Sequence, residues 1–349
     1  MMYNATMNIR TSSILFSPFH RYLNLVASVF LLLSISACGK TKNTSAQTQP
    51  TTTPTSAENC QVIEHAMGET CVPAKPQRIV VLDYVMLDHA MAIGQKPVGS
   101  PLIYARADLK AGIVDLGESS AINLERTLEL QPDLILGITS SPLPYSQLTQ
   151  IAPTVIMDYG HSGEWKEHFT FVGEVLGQSD EVEQIMADYY QRVADLKQKI
   201  EAQNDQLASA GRDQIKEISV VRITPNVIRL YTKTGLIGTV LEDEGLSRPP
   251  SQDLGAEATE ALGTNSIHYS ISREALDTAD GDVIFLTVDN WDSQVEGPLR
   301  SLKNDPLWLK LDAVKQNKVY EVSSTEWASS GAITANAVLD DLFEYNVEE

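Results

Sequence analysis

The sequence predicts an α/β fold built as two similar lobes, and three observations predict it. Short, nearly unbroken apolar runs alternate with short amphipathic runs in both halves of the chain, the signature of buried parallel strands with helical crossovers. A long helical stretch starting at Ser179 separates the two alternating halves. One local unit, a glutamate followed eight positions later by aspartate and an apolar strand, occurs once in each half.

The chain opens with a leader. Arg10 and Arg21 are the only charged side chains before Cys38, and residues 22–35 read YLNLVASVFLLLSI. That apolar run matches a signal-peptide core and is short of the roughly 20 residues a bilayer span needs. One reading is an ordinary cleaved leader, 1–37. The other follows from Ile35-Ser36-Ala37-Cys38, which resembles the bacterial lipoprotein signal, with Cys38 lipidated as the new N-terminus. Residues 38–59 are rich in Thr, Ser, Pro and Gln and lack aromatics, so they read as a disordered tether. The protein is expected in the cell envelope, lipid-anchored on a periplasmic or extracellular face.

Next comes CQVIEHAMGETC, which reads as a hairpin turning at Ala66-Met67-Gly68 and bringing Cys60 and Cys71 opposite each other. In an oxidising compartment the pair is expected as a disulfide worth roughly 2–3 kcal/mol; two free thiols are the alternative. Two cysteines with His65 make an incomplete zinc set.

From Pro76 the α/β pattern begins. A strand over 78–83 leads into a helix stopped by Gly94, then KPVGS gives a short strand and 101–120 a polar loop. NLERTLEL is a helix, DLILG a buried strand, YSQLTQIA a helix and TVIMDY a strand. Residues 60–162 thus form a first lobe. The stretch 163–204 holds EWKEHFTFVGEVLG and then the long helix, with Val182, Ile185, Met186, Tyr189, Val193, Leu196 and Ile200 on one face. About 22 residues make a rod of roughly 33 Å, long enough to join two lobes or to pack within one core.

After the polar NDQLASAGRD the second lobe, 205–349, repeats the theme. KEISVVRI is a strand, paired with VIRLYT across Thr224-Pro225-Asn226. LIGTVLEDEG and SREALDTA are helices, DVIFLTV and KVYEV strands, and ITANAVLDDLFEY a closing amphipathic helix.

The repeated unit is Glu125 with Asp133-Leu134-Ile135-Leu136, and Glu274 with Asp282-Val283-Ile284-Phe285. Each glutamate falls in the first turn of a helix, where a carboxylate favours the helix dipole. That is reason enough for either one alone. Recurrence in both lobes suggests a pair of carboxylates offered to a two-subunit partner.

PQRIVVLDY, NLERTLELQPDLILG, SREALDTADGDVIF and PLWLKLDAVKQNKVYEV together resemble the iron-siderophore (iron dicitrate type) substrate-binding lipoproteins of ABC importers, the class III periplasmic binding proteins. The resemblance covers about 60–345. It implies two Rossmann-like lobes joined by a long rigid helix, a ligand held between them, and a small hinge motion. It also implies that Glu125 and Glu274 pair with arginines of the inner-membrane permease subunits. The expected ligand is a ferric siderophore, the working form a monomer, and no cofactor or resident metal is required.

A cleft for a large, often anionic ferric chelate needs arginines for fixed charge and aromatic rings for area. The best positions are strand ends. Tyr84, Arg106, Arg222, Arg229, Tyr231, Arg248, Trp291 and Trp327 are therefore the predicted ligand contacts, while Trp308 reads as core. Arg229 and Tyr231 share a strand face by alternation.

The rivals have less behind them. A formal charge of −20 and no dense Lys/Arg run argue against nucleic acid. Histidines at 20, 65, 89, 161, 168 and 268 make no metal-ligand pair at close helical or strand spacing, against a binder of naked zinc or manganese. No GxSxG, P-loop or GxGxxG motif follows a strand, so an envelope enzyme is disfavoured, as is a plain scaffold lipoprotein. Cobalamin and haem binders share the scaffold and stay open as alternatives.

Overall fold

The computed structural model describes residues 60–263, 265–289, 293–327 and 330–347. All belong to one compact unit, Thr55–Glu349. The leader, Cys38 and the tether lie outside the described residues, as does Trp291.

The chain enters through a hairpin of β1 (Cys60–His65) and β2 (Gly68–Pro73). Gly68 takes φ 119° at the turn, a conformation that favours glycine. Cys60 and Cys71 are joined in a disulfide with Cα atoms 5.5 Å apart. The register corrects one detail of the expectation. Cys60 lies across from Pro73 and Val62 across from Cys71, so the bridge runs diagonally. His65 pins the hairpin to the first lobe. Its Nδ1 accepts from Met67 N and Ile156 N (3.2 and 3.3 Å), which leaves the proton on Nε2, 2.9 Å from Thr70 Oγ1. Thr70 in turn donates to the Thr154 carbonyl at 3.0 Å.

Two five-stranded sheets follow. The first has β3 (Ile79–Val81) at its centre, with β4 (Gly99–Ser100) and β5 (Val114–Asp115) on one side. On the other side lie β8 (Leu134–Ile138) and β9 (Thr154–Met157). All five are parallel. A small antiparallel pair, β6 (Gly117–Glu118) and β7 (Ala121–Ile122), interrupts the expected polar loop. Helices α1 (Tyr84–Ala92), α2 (Leu124–Glu129) and α3 (Tyr145–Leu148) connect the strands.

The second sheet centres on β10 (Ile218–Ile223), with β13 (Val283–Val288) and β14 (Val319–Ser323) parallel to it. Its other side is antiparallel: β11 (Ile228–Tyr231) and then β12 (His268–Ile271). The connections are α6 (Leu236–Asp243), α7 (Ala256–Leu262), α8 (Glu296–Lys303), α9 (Asp312–Lys315) and α10 (Ser324–Trp327). The run from Arg273 to Ala279 is a 3-10 helix, not the expected α-helix.

The sequence repeat is a structural one. Asp133 accepts from Gln77 N and Arg78 N (2.7 and 2.9 Å), the two amides just ahead of β3. Asp282 accepts from Lys216 N and Glu217 N (2.7 and 2.8 Å), just ahead of β10. In each lobe a carboxylate at the foot of one strand fastens the start of its neighbour.

Between the sheets run α4 (Trp165–Val175) and α5 (Ser179–Ser209). The long helix has 31 residues, past the end read from sequence. Leu207 continues its buried stripe, and the Asn204 amide exchanges two bonds with Ile215 (2.7 and 2.8 Å). The last helix, α11 (Ala332–Val347), packs on α5 and returns to α1.

That return is fixed by Asp88. It projects from α1 at 2 % exposure and accepts from Ile333 N, Thr334 N and Thr334 Oγ1 at 2.8, 3.1 and 2.8 Å. It is the N-cap of a helix that begins 244 positions later in the chain, satisfying amides that have no intrahelical partner. Gly331 is required at this approach, since a Cβ there would stand 2.2 Å from Asp88 Oδ1. Further ties cross at α6. Trp165 Nε1 donates to Thr239 Oγ1 at 3.2 Å. Lys166 Nζ and the Tyr189 hydroxyl both donate to Asp243 Oδ2, at 2.6 and 2.7 Å.

Two stability predictions follow from this packing. Asp88→Ala leaves the first amides of α11 buried without an acceptor and costs on the order of 2–4 kcal/mol in urea denaturation; Asp88→Asn, which keeps one acceptor oxygen, costs less. His89 is fully buried, stacked on Phe169 at 5.4 Å, and burial pushes its imidazole down to about 3, with His168 adding to the shift. The unfolded imidazole takes up a proton near its ordinary value and the folded one does not. Stability therefore falls as pH drops below about 6.5, by up to ~1.4 kcal/mol per pH unit from this residue. His89→Phe is expected to lose about 3 kcal/mol less than the native chain between about pH 7 and pH 4.

Candidate functional site

Ligand positions in open α/β sheets lie beyond the carboxyl ends of strands. On β10 and β11 the alternation sends Arg222, Arg229 and Tyr231 to one face. Register places Arg222 directly opposite Arg229. The neighbouring strand adds His268 opposite Tyr231, rings 5.3 Å apart.

Arg222 is held on two sides. Its Nε donates to Asp289 Oδ1 at 2.8 Å, and its Nη1 to the Tyr231 hydroxyl at 2.8 Å. The ion pair is largely enclosed, with side-chain exposures of 15 % and 3 %. Its positive charge is thus matched by Asp289. Arg229 is half-buried and forms no ion pair among the described residues. His268 stays neutral: burial lowers it to about 4, and the charges of Arg229 and Arg222 help. Asn265 Oδ1 accepts from Ile267 N and His268 N, both at 3.0 Å. Its Nδ2 therefore points to His268 Nε2, 3.0 Å away, and the imidazole proton sits on Nδ1.

The first lobe answers with Tyr84 at the start of α1. Burial raises its phenol, Asp83, Tyr159 and Tyr231 raise it further, and Arg222 pulls the other way. Tyr84 thus lies within electrostatic reach of Arg222 and Tyr231 of the second lobe. The Tyr104 ring stands edge-on to it at 6.1 Å. Asp83 is the N-cap of α1, accepting from Val85 N at 2.8 Å. Burial pushes its carboxyl up to about 6, against hydrogen bonds from Val85, Ser119 and Ser141. Tyr159 stacks on His168 at 4.9 Å; burial pushes it up to about 12 while a bond with Ser330 opposes. Arg106 is paired with Asp108 at 3.2 Å and lies within electrostatic reach of Glu326 from the second lobe.

Of the expected contacts, Arg222, Arg229 and Tyr231 share one face of the second sheet, and Tyr84 of the first lobe is within electrostatic reach of Arg222 and Tyr231. Two expected contacts are corrected. Trp327 is 1 % exposed and stacked on Phe285 at 4.7 Å, its Nε1 donating to Asp341. The chain turns straight from β14 into α10, which folds the indole under the sheet. Arg248 is 6 % exposed and gives its Nη2 to the Tyr231 carbonyl and to Gln252 Oε1. It braces β11 from behind. Burial lowers its guanidinium to about 9, Asp253 opposing. Trp308 is core, as read.

Sequence reading missed Tyr159, Asp289 and His268. Tyr159 and Asp289 each follow a strand, the same signal that singled out Tyr84. His268 had no such signal, because β12 is short and only half-buried. Glu125 and Glu274 are both exposed. Each lies in the first turn of a helix leading into β8 or β13. Among the described residues, no group of three or more His, Cys, Asp or Glu side chains could hold a metal ion, and no helix is long and apolar enough to cross a membrane.

Comparison with known proteins gives a consistent result. The family model described as "Periplasmic binding protein" matches residues 79–325. The chain is 30% identical over 333 residues to the probable siderophore-binding lipoprotein YfiY of Bacillus subtilis, covering 91% of this chain and 96% of that one. It is 25% identical over 313 residues to the Fe(3+)-citrate-binding protein YfmC of the same organism, covering 86% and 90%. Among solved structures, SirA of Staphylococcus aureus complexed with staphyloferrin B superposes with a TM-score of 0.67 at 27% identity, covering 82% of this chain and 98% of that one.

The two arginines should separate by experiment. Arg222→Ala strands the enclosed Asp289 charge and is expected to cost about 3–5 kcal/mol in thermal or urea unfolding. Arg229→Ala should stay within about 1 kcal/mol of the native chain in the same measurement.

Proposed function

As the chain belongs to the periplasmic binding protein family, we propose that its cleft captures an anionic ferric chelate of the siderophore class and delivers it to an ABC importer. The observation that supports this most is Arg229, a permanent cation with no ion-pair partner among the described residues, on the same strand face as Tyr231 and beside a neutral His268. A planar guanidinium suits carboxylate and catecholate oxygens, and tyrosine supplies flat area with a polar tip. The names of relatives point the same way: one binds Fe(3+)-citrate, and another was solved with staphyloferrin B. The site would bind its cargo and do no chemistry on it.

The remaining parts fit that role. Residues 1–37 serve as leader, Cys38 as lipid anchor and 38–59 as tether. Lobes over 60–162 and 205–349 flank linking helices over 163–204. The naming of several relatives as lipoproteins supports the anchor. Glu125 and Glu274, exposed in corresponding places of the two lobes, are the docking carboxylates for arginines on the two permease subunits. The working form is a monomer.

Titration with ferric citrate, a ferric hydroxamate and a ferric catecholate, followed by tryptophan fluorescence, should show saturable binding to at least one. Binding of haem or cobalamin in preference to all three would overturn the ligand class. Arg229→Ala should weaken the tightest complex at least tenfold, about 1.4 kcal/mol. Glu125→Arg with Glu274→Arg should abolish cellular uptake of that complex while leaving its affinity within twofold; normal uptake would refute the docking role.

A further inference from the structure

Beside Glu274 the second lobe holds a cavity of about 420 Å³ on the face of the sheet turned away from Arg222. Its floor is apolar, made by Ile223, Ile228, Leu276 and Leu302. The β10–β11 turn forms one wall and α8 the other. At the mouth, Arg273 donates to Asp305 through Nε and Nη2. That pairing consumes the one cation among the described residues that line the cavity. Glu274, next in the chain, is exposed and has no ion pair among the described residues.

The composition of this spot is unusual for a solvated rim. An exposed carboxylate, held by Ser272 and its own backbone amide and sharing only the charge of Arg273, stands next in the chain to the lining of an open apolar hole, and that arginine is already committed to Asp305. The occupant that satisfies both features is a single protein segment carrying an arginine and an apolar side chain. The first completes the charge pair. The second fills the hole and removes water around the pair, which strengthens it. A small apolar solute would fill the hole and leave the carboxylate as it was.

We propose that this cavity receives an apolar side chain from the same permease segment that brings an arginine to Glu274. The inference rests on the docking reading above and adds to it a buried anchor. Binding strength then resides in the anchored side chain, and the carboxylate contributes mainly orientation and encounter rate. The first lobe differs. There Leu128, one turn after Glu125 on α2, is 58 % exposed and stands out from the surface. The second lobe offers a hole and the first a projection.

The test fills the hole from its rim. Full-length Ser301→Trp, with the native chain and Glu274→Arg as references, is measured for binding to its own permease in lipid nanodiscs by interferometry. Ser301 is an exposed lining residue on α8, on the opposite face of the sheet from Arg222 and Arg229. The expected result is at least a tenfold loss of docking, with melting temperature and ferric-chelate affinity unchanged. Docking within twofold of the native chain would overturn the proposal and leave the cavity to a free small molecule. If Ser301→Trp fails to fold, Asn226→Trp fills the cavity from the opposite wall and decides the matter by the same readout. Loss in Glu274→Arg but not in the filled variants sinks the anchor alone. Undiminished docking by Glu274→Arg sinks the docking reading itself.

Discussion

The cap that Asp88 places on α11 is the interaction on which the arrangement of the lobes depends. A carboxylate on the first helix of the first lobe accepts three hydrogen bonds from the start of the last helix. Its burial opposes ionisation and pushes the carboxyl up to about 6, while the Thr334 and Ile333 donors and the Arg106 charge work against the shift. At neutral pH it is ionised, and charge-assisted bonds in a dry setting are the strong kind. The chain thus closes on itself: α5 carries it from one lobe to the other, and α11 brings it back. Arg192 on α5 donates to both Asn336 and Asp340 of α11, locking the two crossings together. Hinged domains usually move about a few loop residues. Here two packed helices span the gap, so relative motion must bend or slide them. That favours the small displacement expected of a cleft largely formed in advance.

How legible this was from sequence varies with the kind of signal. Strands buried on both faces declare themselves, and β3, β8, β10 and β13 lie where their apolar runs fall. The paired units of Glu125 with Asp133 and Glu274 with Asp282 were legible because the same short pattern occurs twice, although what each aspartate does, holding amides 56 and 66 positions away, was not. Features set by tertiary contact were not. The end of α5 was misplaced because Asn204 and Leu207 sit in a polar stretch, and Asn204 finds its partner Ile215 only beyond the helix. The strand β12 was missed because an edge strand with one solvated face has no apolar run. Asp88 is an aspartate in a helix until α11 arrives.

The site shows the same division. Strand ends locate a residue along the sheet axis, and that rule found Tyr84 and Arg222. It does not give the direction the chain takes next. After β3 the chain stays at the facing edge, and Tyr84 remains there. After β14 it dives, and Trp327 ends under the sheet against Phe285. Arg248 failed for a different reason. Its loop lies behind β11, where a guanidinium serves the backbone carbonyl of Tyr231 and the amide of Gln252.

Charge balance around Arg222 explains the place of Asp289, which the sequence reading passed over although it follows a strand. Register sets Arg222 and Arg229 face to face, and like charges opposed across a strand pair destabilise it. Asp289 neutralises the deeper of the two and, with Tyr231, fixes its orientation. His268, buried and beside the same two arginines, gives up its proton and adds no further charge. Among the described residues of this face, Arg229 is left as a fixed cation without an ion pair. In a chain of formal charge −20, the field at long range repels an anion, but salt screens that field within about 10 Å. An anionic ligand that reaches the cleft therefore responds to Arg229 and its hydroxyl neighbours more than to the acidic shell it has crossed.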